Sequence, residues 1–561
     1  MTSQQASGTG VAGAAGAAGA AGAAGAAGAH GPGGARRRWI GLFFVALGVA
    51  AIIVDSTIVN VAVPSIIDDL GISSSGAQWV QEAYTLVFAA FLLMFGRLGD
   101  RWGRKLMFEI GVVIFVLASV WAAVSGSGTE LVAARLVQGL GGAMMLPTSL
   151  SIINATFRGK DRAAAFALWG STIGGAAAIG PLLGGWLTTE FSWRWAFGIN
   201  IPLGAAVFIG TLIFVSESRD SDTVPGVDLF GALLSVLGIG LIVFGLIEGR
   251  TFGWWSTLGT PSVGPLTWTL PISPIVLAFV LGVLALALFG WVEVSRNRAG
   301  KPVLLDLSLF RIPSFRNGNI AAGIVSLGEF GLLFALPLWL QNALGYTALK
   351  TGWVLLALAA GSFLASGFGV MLNKRRGPIF VVRTGLVLEI VGIVGIGLIA
   401  SPDASVWPIV GFLFVYGLGV GLATAQLTNV VLADVPVAES GQGSGMSSTT
   451  RQIGSALGIA ILGTVLFSGL GSSLNGKLEE APGVPPELRE QTVSTVVTTA
   501  GSVIPAWRTA PATQPLAEAA SASLATATRW AAFAAAGFLV IGLFASLSLG
   551  PSRPMAARED D

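Results

Sequence analysis

The sequence predicts an all-α membrane protein with 14 transmembrane helices, on three observations. The 561 residues carry only 31 basic and 29 acidic side chains, where a soluble chain of this length would carry ~140 charges. Hydrophobic types make up 53% of the chain. At roughly 20 apolar residues per span, that leaves room for about a dozen helices or slightly more. The basic residues also gather in alternate turns, as the positive-inside rule requires. So few charges exclude a large soluble enzyme, and the apolar content excludes disorder throughout.

Residues 1–38 form a Gly/Ala-rich segment, expected to be a disordered cytoplasmic tail. Arg36, Arg37 and Arg38 stand directly before the first apolar run. Fourteen runs of spanning length follow, near 40–62, 76–96, 106–126, 129–153, 162–188, 196–216, 228–248, 272–293, 317–341, 351–372, 378–399, 406–428, 444–467 and 528–549. In lipid each must be helical, because it has to satisfy its own backbone hydrogen bonds. Gly, Pro, Ser and charge clusters mark the turns. The longest connection, 468–527, carries prolines and mixed charges and is expected outside the membrane. Residues 550–561 form a second cytoplasmic tail.

With the N-terminus in the cytoplasm, 22 basic residues fall on the cytoplasmic side and six on the other. Both termini then lie on the basic side of a multi-pass protein, expected in the plasma membrane. There is no cysteine, and the one histidine, His30, is in the tail. Disulfides, thiol nucleophiles and two-histidine metal sites are therefore excluded. No phosphate-binding Gly-Lys-Ser/Thr loop is present. No enzyme activity, metal or cofactor is expected, and no nucleic-acid partner.

Several ionisable residues fall within the spans. Asp55 and Arg135 lie at matching depth in spans 1 and 4, roughly 10 Å below the outer surface. An acid and a base at that depth must face each other or a cavity. The plainer reading has Asp55 capping its helix and Arg135 snorkelling. Gln138, three residues on, shares the Arg135 face. Glu329 and Glu389 sit near mid-membrane, at a depth of roughly 17 Å. Such acids are functional candidates by default. Glu109 is expected to pair with the neighbouring basic loop, and Glu82 to be solvated at the outer edge. Arg451 and Gln452 make a polar face in span 13 with Gly454 and Gly458.

The turn between spans 2 and 3 reads Gly96-Arg97-Leu98-Gly99-Asp100-Arg101-Trp102-Gly103-Arg104-Lys105. A basic anchor needs only the charges, whereas this order places an acid among glycines and arginines. Here the chain resembles the major facilitator superfamily. Asp55-Ser56-Thr57-Ile58-Val59-Asn60-Val61-Ala62-Val63-Pro64, Arg135-Leu136-Val137-Gln138-Gly139 and Gly180-Pro181-Leu182-Leu183-Gly184-Gly185 narrow the resemblance. So does the stretch from Trp193 to Pro202, and the likeness is to the 14-helix drug:proton antiporter branch. Two positions depart from its patterns: Ala176 stands where a glycine is usual, and Asn373–Gly377 echoes the signature turn without its acid.

The resemblance implies a major facilitator fold of two six-helix bundles. The first covers 39–216, and a separate inserted helix pair, 217–300, joins it to the second. The second runs through 301–467 and closes with 528–549. It implies proton-coupled export of small amphipathic or hydrophobic compounds, drugs or antibiotics among them, by alternating access. The proton gradient would be the energy source, and the partners would be the substrate, protons and lipid, with the protein a monomer. An exporter of a lipid or siderophore, or a non-transporting sensor on the same fold, stays open. Asp55 and Arg135 would couple protons. Glu329, Glu389, Gln138 and Arg451 would line the substrate cavity. Gly96, Asp100, Arg101, Gly103, Arg104 and Lys105 would form the gating loop, and Gly180, Pro181, Gly184 and Gly185 the antiporter hinge.

Overall fold

The computed structural model describes residues 32–72, 74–219, 228–260, 262–263, 266–480 and 485–549. The expectations for residues 1–31, including His30, and for the tail 550–561 lie outside these. Among the described residues, thirteen helices are long and apolar enough to cross a membrane, and a fourteenth qualifies with a 43° bend between Ala365 and Phe368. They are α1 (Pro32–Leu70), α2 (Ser74–Trp102), α3 (Arg104–Val124), α4 (Gly128–Thr156) and α5 (Gly159–Glu190). Next come α6 (Asn200–Phe214, entered through the turn Trp195–Gly198), α7 (Leu229–Phe252), α8 (Pro274–Arg298) and α9 (Pro313–Leu338). The last five are α10 (Ala348–Arg376), α11 (Pro378–Ile399), α12 (Val406–Val431), α13 (Ser440–Glu480) and α14 (Gln514–Ala545). The only strands among the described residues are a two-residue ladder, Ser262–Val263 with Leu266–Thr267, in the α7–α8 hairpin.

The helix starts follow local chemistry. Ser127, Asp228, Ser273 and Thr347 each cap a helix by accepting a backbone N–H. Proline opens α8, α9 and α11, where its missing N–H costs nothing.

Two boundaries differ from expectation. Helix α1 already begins at Pro32, so the stretch through Arg38 is helical; Ala35 and the arginines are good helix formers, and Arg37 donates to the carbonyl of Ile213. The 468–527 connection is largely helical, because α13 runs on to Glu480 and α14 starts at Gln514, with a helix at Pro486–Thr498 between them. Gly, Ser and Leu dominate the α13 extension and Ala the α14 extension, and hydropathy alone does not register an amphipathic helix beyond the apolar window.

In the first bundle α1 packs on α5 and α6, and α4 on α2 and α3. In the second, α12 packs on α10 and α11, and α13 on α9 and α14. The bundles meet along α5 with α10 and α12, and along α2 and α4 with α13. Small residues allow these close approaches. A Cβ on Gly352 would lie 3.0 Å from Leu182, and one on Gly170 2.9 Å from Ala425. Helix α7 lies against α2 and α13, with α8 outside it. Leu277, Val280, Leu281, Leu284, Leu288 and Trp291 leave α8 with a broad exposed apolar face, suited to lipid.

Candidate functional site

Four helices of the first bundle converge on Asp55. It is fully buried in α1, as are Arg135 and Gln138 on α4, Ser119 on α3 and Asn200 at the start of α6. Arg135 Nη1 donates to Asp55 Oδ2 at 2.5 Å. Gln138 Nε2 and Asn200 Nδ2 both donate to Asp55 Oδ1 at 2.7 Å. Ser119 Oγ accepts from the same two amides. Arg135 Nε reaches the Val80 carbonyl at 3.0 Å, and its guanidinium lies over the Tyr84 ring, 4.3 Å from the centroid. Three donors on one carboxylate in a dry interior complement a negative charge. The capping-and-snorkelling alternative does not describe this geometry: the acid and the base meet inside the bundle. Gln138, expected to line the cavity, belongs to the Asp55 network.

The Gly180–Gly185 stretch of α5 crosses α1 right beside Asp55. A Cβ on Gly180 would fall 1.8 Å from Thr57 Oγ1 and 3.2 Å from the Val54 carbonyl, so only glycine lets α5 cross α1 beside Asp55. Pro181 follows within α5, where it removes a backbone donor. Gly184 and Gly185 are buried on the same helix.

At the end of the molecule that carries the basic turns, the Gly96–Lys105 stretch clasps the second bundle. Asp100 Oδ1 accepts from the backbone N–H of Gly441 at 2.7 Å, and Oδ2 from that of Gln442 at 3.0 Å. These are the first residues of α13, so the carboxylate sits on a helix N-terminus. Arg104 donates from Nε and Nη2 to the same carboxylate, at 3.0 and 2.8 Å, and from Nη2 to the Val437 carbonyl at 2.5 Å. A Cβ on Gly96 would lie 2.3 Å from the Gly441 carbonyl oxygen. Asn154 Nδ2 donates to Ser440 Oγ at 2.7 Å, and Ser151 and Ser444 share a bond of 2.5 Å. Gly103 adopts φ 125°, a left-handed conformation that glycine tolerates, and Glu217 packs against it. Glu217 accepts the backbone N–H groups of Lys105 and Leu106, and Lys105 Nζ donates to the Leu212 carbonyl at 2.8 Å. Arg101 is half-buried beside this clasp. Glu109 lies 3.8 Å from Lys105, as the sequence suggests.

A connecting strap joins in. Arg97 Nε donates to the Val303 carbonyl at 3.1 Å, while the Asp306 N–H donates to Gln442 Oε1 at 2.6 Å. The segment after α8 thus touches both halves of the clasp. Glu293 on α8 holds it from behind by accepting the N–H groups of Leu304 and Leu305.

At the opposite end Asp69, past the apolar part of α1, accepts from Arg194 Nη1 and Trp193 Nε1. Those two hydrogen bonds hold its carboxyl below the ordinary carboxylate range.

The second bundle has a buried polar cluster of its own. Glu329 on α9 accepts from Thr424 Oγ1 at 3.0 Å, and its backbone carbonyl accepts from Tyr416 at 3.2 Å. Arg451 on α13 donates to the Thr424 carbonyl and to Thr428 Oγ1, at 3.2 and 3.0 Å. Glu389 on α11 is fully buried against α12, and α11 packs on α12 and α14. The structure therefore places Glu389 inside the second bundle, separated from the first. Glu82 also differs from expectation: it is half-buried, and its side chain hydrogen-bonds Glu248 of the inserted α7.

Sequence reasoning gave no role to Asn200, Ser119, Tyr416 or Thr424. Asn200 carried a signal, as an amide at the opening of an apolar span. A serine or threonine inside a span is too common to stand out.

Comparison with known proteins matches residues 45–459 to the family model described as Major Facilitator Superfamily. A probable actinorhodin transporter of Streptomyces coelicolor is 34% identical, over 79% of this chain and 75% of its own length. The multidrug resistance protein Stp of Mycobacterium tuberculosis is 32% identical over 82% of each chain. The multidrug efflux pump LfrA of Mycolicibacterium smegmatis is 32% identical over 76% of this chain and 81% of its own. Among solved structures, the human organic anion transporter MFSD10 superposes with a TM-score of 0.58 at 13% identity, covering 91% of this chain and 99% of that one. The proton:xylose symporter XylE gives 0.53 at 12% identity, covering 84% and 95%.

Proposed function

The chain belongs to the major facilitator superfamily, and on that premise we propose that it exports small amphipathic or hydrophobic compounds, drugs or antibiotics among them, in exchange for protons. The observation that carries the reading is Asp55, a dry carboxylate held by Arg135, Gln138 and Asn200 in the heart of one bundle. A carboxyl that accepts a proton loses its claim on Arg135, and the freed guanidinium must then find other partners. Proton binding is thereby converted into rearrangement of α4 against α1. Gly180 and Pro181 on α5 lie where α1 would transmit that movement. The names of the multidrug and antibiotic relatives support the substrate class.

Asp100, Arg104 and the start of α13 form the gate, closed here at the basic end. The excess of basic residues puts that end, and both termini, in the cytoplasm. The protein then works as a monomer in the plasma membrane. Glu329, at mid-depth on α9, attracts cationic substrates. The proton gradient supplies the energy, without a cofactor or a chemical step.

The test is transport in everted vesicles from a strain lacking its own exporters. A cationic dye should enter against its gradient when the vesicle interior is acidified and leave when the pH gradient is collapsed. Dye movement that ignores the pH gradient would refute proton coupling.

A further inference from the structure

Glu389 is fully buried, and neither of its carboxyl oxygens has a hydrogen-bond partner. An ionised carboxylate left this way in an apolar interior carries a penalty that proteins avoid by keeping the group protonated. Helix α12 is bare backbone beside it: a Cβ on Gly419 would lie 2.6 Å from Glu389 Cγ. Among the described residues, the charged groups that act on Glu389 are Glu329 from α9 and Arg451 from α13. Tyr416 from α12 feels the same two acids. On α11 itself, Arg383 stands at the basic end and donates to the Ser546 carbonyl. On α14, Arg529 donates to the Ala400 carbonyl at the far end of α11.

The cluster is therefore two acids and one arginine. It is neutral only when one acid holds a proton. Glu329 already accepts from Thr424, whereas Glu389 accepts from nothing, so the proton belongs on Glu389. Arg451 Nε is also unpartnered, leaving a donor that the present arrangement does not use.

We propose that Glu389 is a second proton site, and that a cationic substrate binding at Glu329 displaces its proton by way of Arg451. This rests on the export reading given above and adds a site to it. Before binding, Glu329 and Arg451 balance each other while Glu389 is neutral. When an organic cation settles on Glu329, it takes over the balance of that carboxylate. Arg451 is then free to pair with Glu389, whose O–H bond breaks and whose proton leaves to solvent. One positive charge enters the cluster and one leaves, so the buried charge stays constant. A neutral substrate offers Glu329 no charge and leaves the proton where it is.

The experiment counts protons released on binding by the purified full chain in weakly buffered detergent, with no gradient. The probes are tetraphenylphosphonium and the neutral chloramphenicol. Wild type should release about one proton per bound phosphonium and none with chloramphenicol. Glu389→Gln should bind phosphonium without release, and Glu389→Asp should restore it. The infrared carbonyl band of a protonated carboxyl should be weaker in Glu389→Gln than in wild type. Equal release from wild type and Glu389→Gln, an unchanged infrared band, or no phosphonium binding to wild type would overturn the proposal. Export by Asp55→Asn at the wild-type rate would sink the Asp55 reading while leaving the Glu389 count to decide this one.

Discussion

Asp100→Asn tests how the two bundles are held together at the basic end. The carboxylate accepts two backbone N–H groups from the start of α13 and two bonds from Arg104. Asparagine keeps the shape and one acceptor oxygen, but it loses the charge and turns an NH2 toward donors. A hydrogen bond to a charged acceptor contributes about 1.5–3 kcal/mol, and the helix terminus adds up to ~1 kcal/mol. Keeping one neutral bond offsets part of that, so the clasped state should lose about 2–4 kcal/mol. The ratio of clasped to open molecules should then fall by about 30-fold to 700-fold. The chain has no cysteine, so spin labels can be placed cleanly. Asp161→Cys in the first bundle and Ala438→Cys in the second are both at exposed positions. Pulsed dipolar spectroscopy should show one short distance in the parent and a longer population in Asp100→Asn. An unchanged distance distribution in a folded Asp100→Asn protein would refute the assignment of the latch.

Asp55→Asn should insert normally and lose proton-driven export, read as dye efflux from energised cells; efflux at the wild-type rate removes Asp55 from coupling. Gly180→Val should abolish transport at normal expression, because even a Cβ would meet Thr57 Oγ1 at 1.8 Å; a fully active Gly180→Val would show that α5 and α1 need not pack this closely. Glu329→Gln should lower export of cationic dyes by about tenfold or more while sparing neutral compounds, as expected for a buried charge–charge contact of a few kcal/mol. Equal loss of both classes would assign Glu329 to proton carriage instead. Ser472→Cys, exposed beyond the membrane part of α13, should react with an impermeant thiol reagent in intact cells, and Ser218→Cys should not; the reverse pattern would invert the topology.

The spans were legible because lipid leaves the backbone few choices, and a run of apolar residues states them openly. Asp55 and Arg135 were legible for the converse reason: a charge inside such a run has to be answered by another. What the sequence could not give was which polar groups complete each set. Asn200 lies 145 positions from Asp55 and meets it only because α6 returns beside α1. Glu82 reads as an outer-edge acid from its place in span 2, and only the packing of α7 against α2 brings Glu248 to it. Glu329 and Glu389 look alike at equal depth, yet one lies beside Arg451 and Thr424 and the other behind α12. Depth is a property of one helix, whereas facing is a property of pairs. The helical part of the 468–527 connection escaped notice because its residues cover other helices instead of lipid, and so carry no hydropathic signal.

Helix α13 runs unbroken for 41 residues, from Ser440 at the clasp to Glu480. At 1.5 Å per residue that is a rod of roughly 60 Å, about twice the thickness of the hydrocarbon layer. Its far part is gripped by the helix Pro486–Thr498. A stiff rod pivoting near its middle moves both ends, so a tilt of about 5° carries each tip roughly 3 Å in opposite directions. On the proposed topology the cap is then a pointer, on the outer side, to the state of the proposed gate at the basic end. An antibody or small binder that fixes the cap would stall the gate without reaching the cavity, and a fluorophore on the cap would report each turnover from outside.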